Sequence, residues 1–171
     1  MITFNGNEYS HAYVGGLVGS SQGGNITTSS SQGEMNILGN GTYGGFIGLS
    51  TGDISHSFAD MDIVAKGQMT IGGFVGYLYE YGSQIVNISD SYAVGSMIVD
   101  LDDDCQVGGF AGNIHPDSYI LRTYTMMNME LEDVNNGDEV YGIAGKTYSD
   151  TQVRTSVYNQ ELTNTSEATA Y

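Results

Sequence analysis

The sequence lacks most features of disulfide-bonded, membrane-spanning and nucleic-acid-binding proteins. Its single cysteine, Cys105, excludes a disulfide within the chain. No run approaches the roughly 18 apolar residues that a membrane span requires. Only 4 basic residues accompany 20 acidic ones, and the net charge of -16 would repel a phosphate backbone or an anionic membrane. We therefore expect no nucleic-acid partner and no membrane span.

Proline is almost absent, at 1 residue, whereas glycine is abundant, at 25. A disordered low-complexity chain would have more proline and fewer β-branched and aromatic residues. With 171 residues and 40% hydrophobic content, the chain is predicted to form one folded domain over residues 1–171. Residues 1–5 have no basic side chain and no apolar run, so no signal peptide is expected.

A five-residue glycine motif recurs along the chain. It reads Gly-Gly-Leu-Val-Gly at residues 15–19 and returns in similar form at 44–48, 72–76 and 108–112. A fifth copy at 141–145 has Tyr141 in place of the first glycine. The second glycines lie 28 to 36 residues apart, which indicates a repeat array with partial repeats at both ends. These glycines are Gly16, Gly45, Gly73, Gly109 and Gly142.

A second block follows each glycine motif after a short variable loop. It carries an aliphatic residue and, three residues later, a hydroxyl. The aliphatic positions are Ile26, Ile54, Ile88, Ile120 and Val153. The hydroxyl positions are Ser29, Ser57, Ser91, Thr123 and Ser156. Alternating apolar segments come next and are typical of strands, and no window has a sustained helical period.

These patterns predict an all-β parallel β-solenoid of about five coils. A unit of roughly 30 residues with two or three short strands cannot bury its own apolar face, so neighbouring copies must stack. Stacking would place the aliphatic positions, the hydroxyl positions and the aromatics Phe58, Tyr92 and Tyr124 in three ladders. The glycine pairs would allow sharp turns through positive φ. The general rule for parallel crossovers favours a right-handed coil.

The motif Gly-Gly-Leu/Phe-Val/Ile-Gly, followed by Ile-x-x-Ser-Phe/Tyr-Ala, resembles the GLUG repeat. The resemblance extends from about Tyr13 to Leu162, and phenylalanine replaces the family's leucine at 46, 74 and 110. GLUG repeats belong to large bacterial and archaeal surface proteins, including adhesins, and some lie beside peptidase domains. The resemblance implies an extracellular repeat stalk or spacer without catalytic residues or a cofactor. A mature form, a fragment or another export route would then account for the absence of a signal peptide.

The longer spacing between the third and fourth copies is attributed to insertions at residues 77–84 and 100–105, which are expected to leave the coil as loops. Tyr77, Tyr79 and Tyr81 alternate in the first, so their rings should point to one side. Such a cluster is either a platform that binds sugar rings or a partner, or a cover for the next coil.

The second insertion contains Asp100, Asp102, Asp103 and Asp104. These carboxylates could bind Ca²⁺, which takes six to eight oxygen ligands, or could form a solvated acidic tip. Four sequons offer N-glycosylation at Asn25, Asn40, Asn87 and Asn164.

A catalytic role finds little support. His11, His56 and His115 occur at unrelated phases of the repeat, without a metallopeptidase or nucleophile-elbow motif. Asp60 and Asp62 would face one side of a strand, as a polysaccharide-active pair could, but solvent-facing carboxylates alternate in the same way.

The partial repeats at the two ends are complementary in phase. The end of one molecule and the start of the next would complete about one coil, which predicts head-to-tail stacking into an open filament. The alternative is a piece of a longer array. The predicted function is therefore a structural subunit of an extracellular filament or adhesin stalk. The alternatives are a carbohydrate- or surface-binding module and, third, a polysaccharide-active enzyme.

Overall fold

The computed structural model describes residues 1–6, 11–80, 82, 84–148 and 152–159. These residues form strands and turns and contain no helix. Accordingly, no helix within the described ranges is long and apolar enough to cross a membrane. The predicted all-β class is confirmed.

Each strand is short except for one per coil, which runs for nine or ten residues in the first four coils. The strands are β1 Ile2–Asn5, β2 Ala12–Gly15, β3 Val18–Ser21, β4 Ile26–Thr27, β5 Ser30–Leu38, β6 Gly41–Gly44, β7 Ile47–Ser50, β8 Ile54–Ser55, β9 Phe58–Gly67, β10 Met69–Gly72, β11 Val75–Leu78, β12 Val86–Ser89, β13 Tyr92–Leu101, β14 Gln106–Gly108, β15 Ala111–Ile114, β16 Ser118–Leu121, β17 Tyr124–Glu132, β18 Glu139–Tyr141, β19 Ala144–Lys146, β20 Val153–Arg154 and β21 Val157–Tyr158.

The strands form four parallel sheets, and each coil contributes one strand to each sheet. The sheet orders are β1-β5-β9-β13-β17-β21, β2-β6-β10-β14-β18, β3-β7-β11-β15-β19 and β4-β8-β12-β16-β20. Every pairing joins equivalent strands of consecutive coils, such as β5 with β9 and β9 with β13. The predicted β-solenoid of about five coils is thus confirmed, although each coil has four strands instead of two or three. Its right-handedness stays a prediction.

The interior consists of columns of equivalent apolar residues. The aliphatic ladder is confirmed, because Ile26, Ile54, Ile88, Ile120 and Val153 are paired in register. The phenylalanines of the glycine motif form a second column. Phe46 stacks on Phe74 with ring centroids 4.6 Å apart, and Phe74 stacks on Phe110 at 4.8 Å. All three rings are fully buried, so this motif position belongs to the core.

The predicted aromatic and hydroxyl ladders are both present. Phe58 stacks on Tyr92 with centroids 4.9 Å apart, and Tyr92 on Tyr124 at 4.8 Å. In the hydroxyl ladder, the Ser57 Oγ accepts a hydrogen bond of 3.2 Å from the backbone N–H of Ser29 in the preceding coil. The hydroxyl ladder therefore links coils through the backbone.

The glycine motif is required for a different reason from the one predicted. Its glycines have no positive φ; a Cβ on Gly45 would instead clash with the carbonyl oxygen of Gly73, and one on Gly73 with that of Gly109. Successive coils thus approach so closely here that only a residue without a side chain fits. The expectation of positive φ at the glycine pairs was wrong.

Positive φ occurs instead at non-glycine corner residues. Five equivalent residues, each directly before a ladder hydroxyl, have φ between 50° and 52°. They are Thr28, His56, Asp90, Arg122 and Thr155. His56 therefore occupies a corner of the coil, a structural position that it shares with four other residues of three different types.

The predicted insertion boundaries need correction. Tyr77 and Leu78 belong to β11, and Asp100 and Leu101 belong to β13. The first loop therefore begins after Leu78. Residues 77–78 and 100–101 pair in register with strands of the neighbouring coils. They are therefore the last residues of their own strands, and the loops begin after them.

Candidate functional site

Two of the three predicted tyrosines come together beside the sheet that contains β11. The ring of Tyr77 contacts that of Tyr79 edge to face, with centroids 5.5 Å apart. Tyr77 is half-buried, whereas Tyr79 is exposed. The first ring therefore covers the coil and the second is accessible, which combines the two alternatives left open by the sequence. Tyr81 lies outside the described residues.

Tyr13 and Tyr148 belong to the same surface, which the sequence did not indicate. Burial raises the pKa of Tyr77 to about 12, and charges on Tyr148, Tyr79 and Tyr13 contribute further. Tyr13 and Tyr79 also line one groove, together with Leu49 and polar side chains. We call Tyr13, Tyr77, Tyr79 and Tyr148 the tyrosine face.

Register explains how the tyrosine face forms. Tyr77 pairs with Asn113, which pairs with Lys146, so Tyr79, His115 and Tyr148 follow at the same phase of three successive coils. The Tyr79 ring contacts the His115 ring edge to face at 4.8 Å. Aligning the repeats in the sequence places Lys146 opposite Tyr77, and Tyr148 then lies two residues later, opposite Tyr79. A groove lined by exposed rings and hydroxyl groups can bind a sugar through stacking and hydrogen bonds.

The aspartate segment is spread over a strand and a turn. Asp100 accepts a hydrogen bond from Lys66 of the preceding coil, which raises the pKa of the Lys66 ammonium group. The backbone carbonyls of Asp102 and Asp103 accept hydrogen bonds from Cys105 and Gln68, respectively. Asp104 has a positive φ of 60°. Asp102 and Asp103 line an open depression, and calcium binding by this segment stays a prediction.

Three of the four sequons lie on the described surface. Asn25 is exposed immediately before β4, Asn87 is half-buried within β12, and both line one groove between coils. The Asn40 side-chain oxygen accepts a hydrogen bond of 3.1 Å from the backbone of Gln68. Asn164 lies outside the described residues, and glycosylation at all four positions stays a prediction.

The carboxylates considered for catalysis form hydrogen bonds along the solenoid. Asp60 accepts a bond of 2.7 Å from Gln32, and Asp62 accepts bonds of 2.6 and 3.0 Å from Ser96. They alternate outward on β9 as expected. Both thus link neighbouring coils on the outer surface.

The comparisons with known proteins bear on the repeat itself. A protein-family model described as the GLUG motif matches residues 10–37, which hold the first glycine motif and the first ladder block. The chain carries a GLUG motif, and this match supports a GLUG-motif repeat protein. In the structure, the later GLUG copies repeat the strand register of the matched segment coil by coil. No curated protein and no solved structure matches the chain.

Proposed function

We propose that this GLUG-motif protein is a non-catalytic structural solenoid of the cell exterior that stacks head-to-tail with further copies. The motif and the fold fit a surface or repeat protein. Head-to-tail stacking is supported mainly by the exposed face of the first coil. Leu17, at the start of the phenylalanine column, is 47% exposed, whereas Phe46, Phe74 and Phe110 in the same column are fully buried.

The backbone of the first coil also favours the stacking of another copy. Strands β2, β3 and β4 each pair with the second coil on one side, and on the other side they pair with no described strand. Unpaired N–H and C=O groups on a parallel sheet edge are a template for another strand. A further coil would pair these groups and cover Leu17 together.

An aggregation-state measurement tests this proposal. The substitution Leu17→Glu should prevent stacking because it places a charge in the apolar column at the joint. Val64→Glu is the matched control, since Val64 is 48% exposed but points outward from the second coil. Light scattering after size-exclusion chromatography should show concentration-dependent assembly for the wild type and Val64→Glu but not for Leu17→Glu. Equal masses for all three proteins at every concentration would refute the proposal.

The tyrosine face favours a second function, carbohydrate binding. Tyr13 and Tyr79 are exposed across one groove and could stack on a glycan. On a glycan array, Tyr79→Ala should lose the signal, whereas Tyr119→Ala should retain it, because Tyr119 lies on β16 against Arg154. Equal retention by both variants, or no retention by the wild type, would exclude this function for the tyrosine face.

A further inference from the structure

Three potential metal ligands from two consecutive coils converge beside the tyrosine face. Glu80 follows β11, and His115 and Asp117 follow β15. One ligand atom from each lies within 4.8 Å of the other two. The two chain segments leave the solenoid side by side because Leu78 pairs with Ile114.

A tight turn holds His115 and Asp117 on the same side. The backbone N–H of Ser118 donates a hydrogen bond of 2.9 Å to the carbonyl of His115, which closes a four-residue turn. The chain's one proline, Pro116, occupies the second position, where its fixed φ favours such a turn. The backbone N–H of His115 also donates to Leu78 at 2.8 Å, which fixes the turn to the preceding coil.

Both the side chain and the backbone of His115 are held in place. The His115 ring contacts the Tyr79 ring, and the His115 backbone carbonyl accepts a hydrogen bond from the buried Gln152 of the next coil. Glu80 and His115 are half-buried, whereas Asp117 is exposed. The group is therefore partly shielded from solvent at Glu80 and His115 and open to solvent at Asp117.

The Nδ1 atom of His115 is buried and has no hydrogen-bond partner among the described residues. The nearest carboxylate oxygen, Oε2 of Glu80, is 3.6 Å away, which is too long for a hydrogen bond. Two ligands on a tetrahedral zinc ion, at 2.0–2.1 Å each, are about 3.4 Å apart. The separation thus suits two ligands that share an ion.

We propose that Glu80, His115 and Asp117 bind a divalent transition-metal ion of the zinc class. One imidazole nitrogen and two carboxylates are the ligand types that zinc accepts, and their two negative charges match the ion. Calcium would be a poor occupant because it prefers six to eight oxygens. The open side at Asp117 leaves a fourth position for water.

The metal would fasten the loop after β11 to the turn after β15. Each ligand comes from a segment outside the strands of the coil, where no strand pairing stabilises the chain. Binding to the folded state alone would also raise the temperature of unfolding. This inference is independent of head-to-tail stacking, because the ligands lie on the side of the third and fourth coils.

Calorimetric titration of the full, untagged, EDTA-treated chain with ZnCl₂ tests the proposal. Sodium chloride at about 0.15 M should screen diffuse attraction to the acidic surface. We expect one zinc ion per chain with a dissociation constant of about 1 µM or tighter. His115→Gln and Asp117→Asn should each weaken binding at least tenfold, as should Glu80→Gln, with folding checked by circular dichroism. Excess CaCl₂ should not displace the zinc.

Two control variants separate this site from other parts of the chain. His11→Gln removes a histidine near Thr42 of the first two coils, and Asp103→Asn alters the aspartate segment. Both should bind zinc as the wild type does. X-ray absorption should show nitrogen and oxygen ligands near 2.0–2.1 Å and no sulfur. Absence of zinc binding by the wild type, undiminished binding by His115→Gln, or a sulfur ligand would overturn the proposal.

Discussion

At the scale of single residues, Ser57 shows how a side chain can join two coils. Its hydroxyl accepts a hydrogen bond from the Ser29 backbone of the preceding coil and donates one of 2.9 Å to the Ser55 carbonyl of its own coil. The backbone N–H of Ser57 donates in turn to Ser91 of the next coil. A ladder hydroxyl can thus bond peptide groups at the corner of its own coil and of the preceding coil.

We predict that Ser57→Ala lowers the free energy of unfolding by about 1–3 kcal/mol, because the Ser29 N–H loses its partner in a partly buried position. Ser57→Thr should recover most of this loss, since Thr123 occupies the equivalent position of another coil. Urea denaturation measures both. Ser30→Ala is the control, because Ser30 is exposed. A Ser57→Ala protein as stable as the Ser30→Ala protein would contradict this role.

Cys105 is a second residue whose environment dictates its chemistry. The side chain is fully buried, and burial raises the pKa of its thiol to about 11. The Sγ atom accepts a hydrogen bond of 3.3 Å from the Met69 backbone and donates one of 3.2 Å to Asp102. This thiol belongs to the core.

We therefore predict that Cys105 is unreactive in the folded protein. A pKa two units above the ordinary value of 9.0 lowers the thiolate fraction about a hundredfold at neutral pH, and burial slows reagent access further. Dithionitrobenzoate should react at least about a hundredfold more slowly with the folded chain than with the urea-unfolded chain. Similar rates in both states would show that the thiol is accessible.

At the scale of the coil, the closest contact lies between glycine motifs. The backbone of one coil rests directly on that of the next at Gly45 and Gly73. We predict that Gly45→Ala destabilises the protein by about 3 kcal/mol or more, because neither backbone can move without breaking sheet pairing. Thermal and urea unfolding should show this loss. The matched change Gly24→Ala, where a Cβ would have space, should leave stability nearly unchanged.

The sequence predicts the stacking of the coils better than the strands and turns within each coil. Equivalent residues at a regular period, such as Ile54 and Ile88, reveal stacking and register without further information. Two-residue strands such as β4 and β20 are too short to show alternation, so the number of strands per coil was underestimated. The glycine requirement was misattributed because a close approach of two backbones leaves the same sequence pattern as positive φ.

The candidate sites were only partly predictable for a similar reason. Alternation brought Tyr77 and Tyr79 together in the sequence, but Tyr13 joins them from another coil. Glu80 and His115 are likewise distant in sequence and adjacent only through the pairing of β11 with β15. Sites that combine residues from several coils require the register of those coils, including the lengths of their loops.

At the scale of the whole molecule, buried acidic protons make folding sensitive to high pH. The pKa of Tyr43 is raised by burial from 10.0 to about 12, and that of Cys105 from 9.0 to about 11. The unfolded chain therefore releases these protons first. Their contribution to the free energy of unfolding should be fully present below about pH 9 and should be lost as the pH rises from 9 to 12.

We predict that Tyr43→Phe reduces this alkaline loss. The change removes a phenol that contributes on the order of 2 kcal/mol of pH dependence between pH 10 and 12. At neutral pH it should cost about 1 kcal/mol, because the Tyr43 hydroxyl donates a hydrogen bond of 2.8 Å to the Gly39 carbonyl. Urea titrations at pH 8, 10 and 11 compare the two proteins. Parallel pH profiles would show that Tyr43 does not contribute.

The most direct test of a structural, stacking solenoid is electron microscopy of the purified protein at about 0.15 M salt, where exposed charges are screened beyond about 8 Å. We predict filaments with an axial repeat of about 24 Å, the length of five coils at one strand spacing each. Leu17→Glu should abolish them, and Val64→Glu should not. Discrete short rods of wild-type protein at every concentration would contradict head-to-tail stacking.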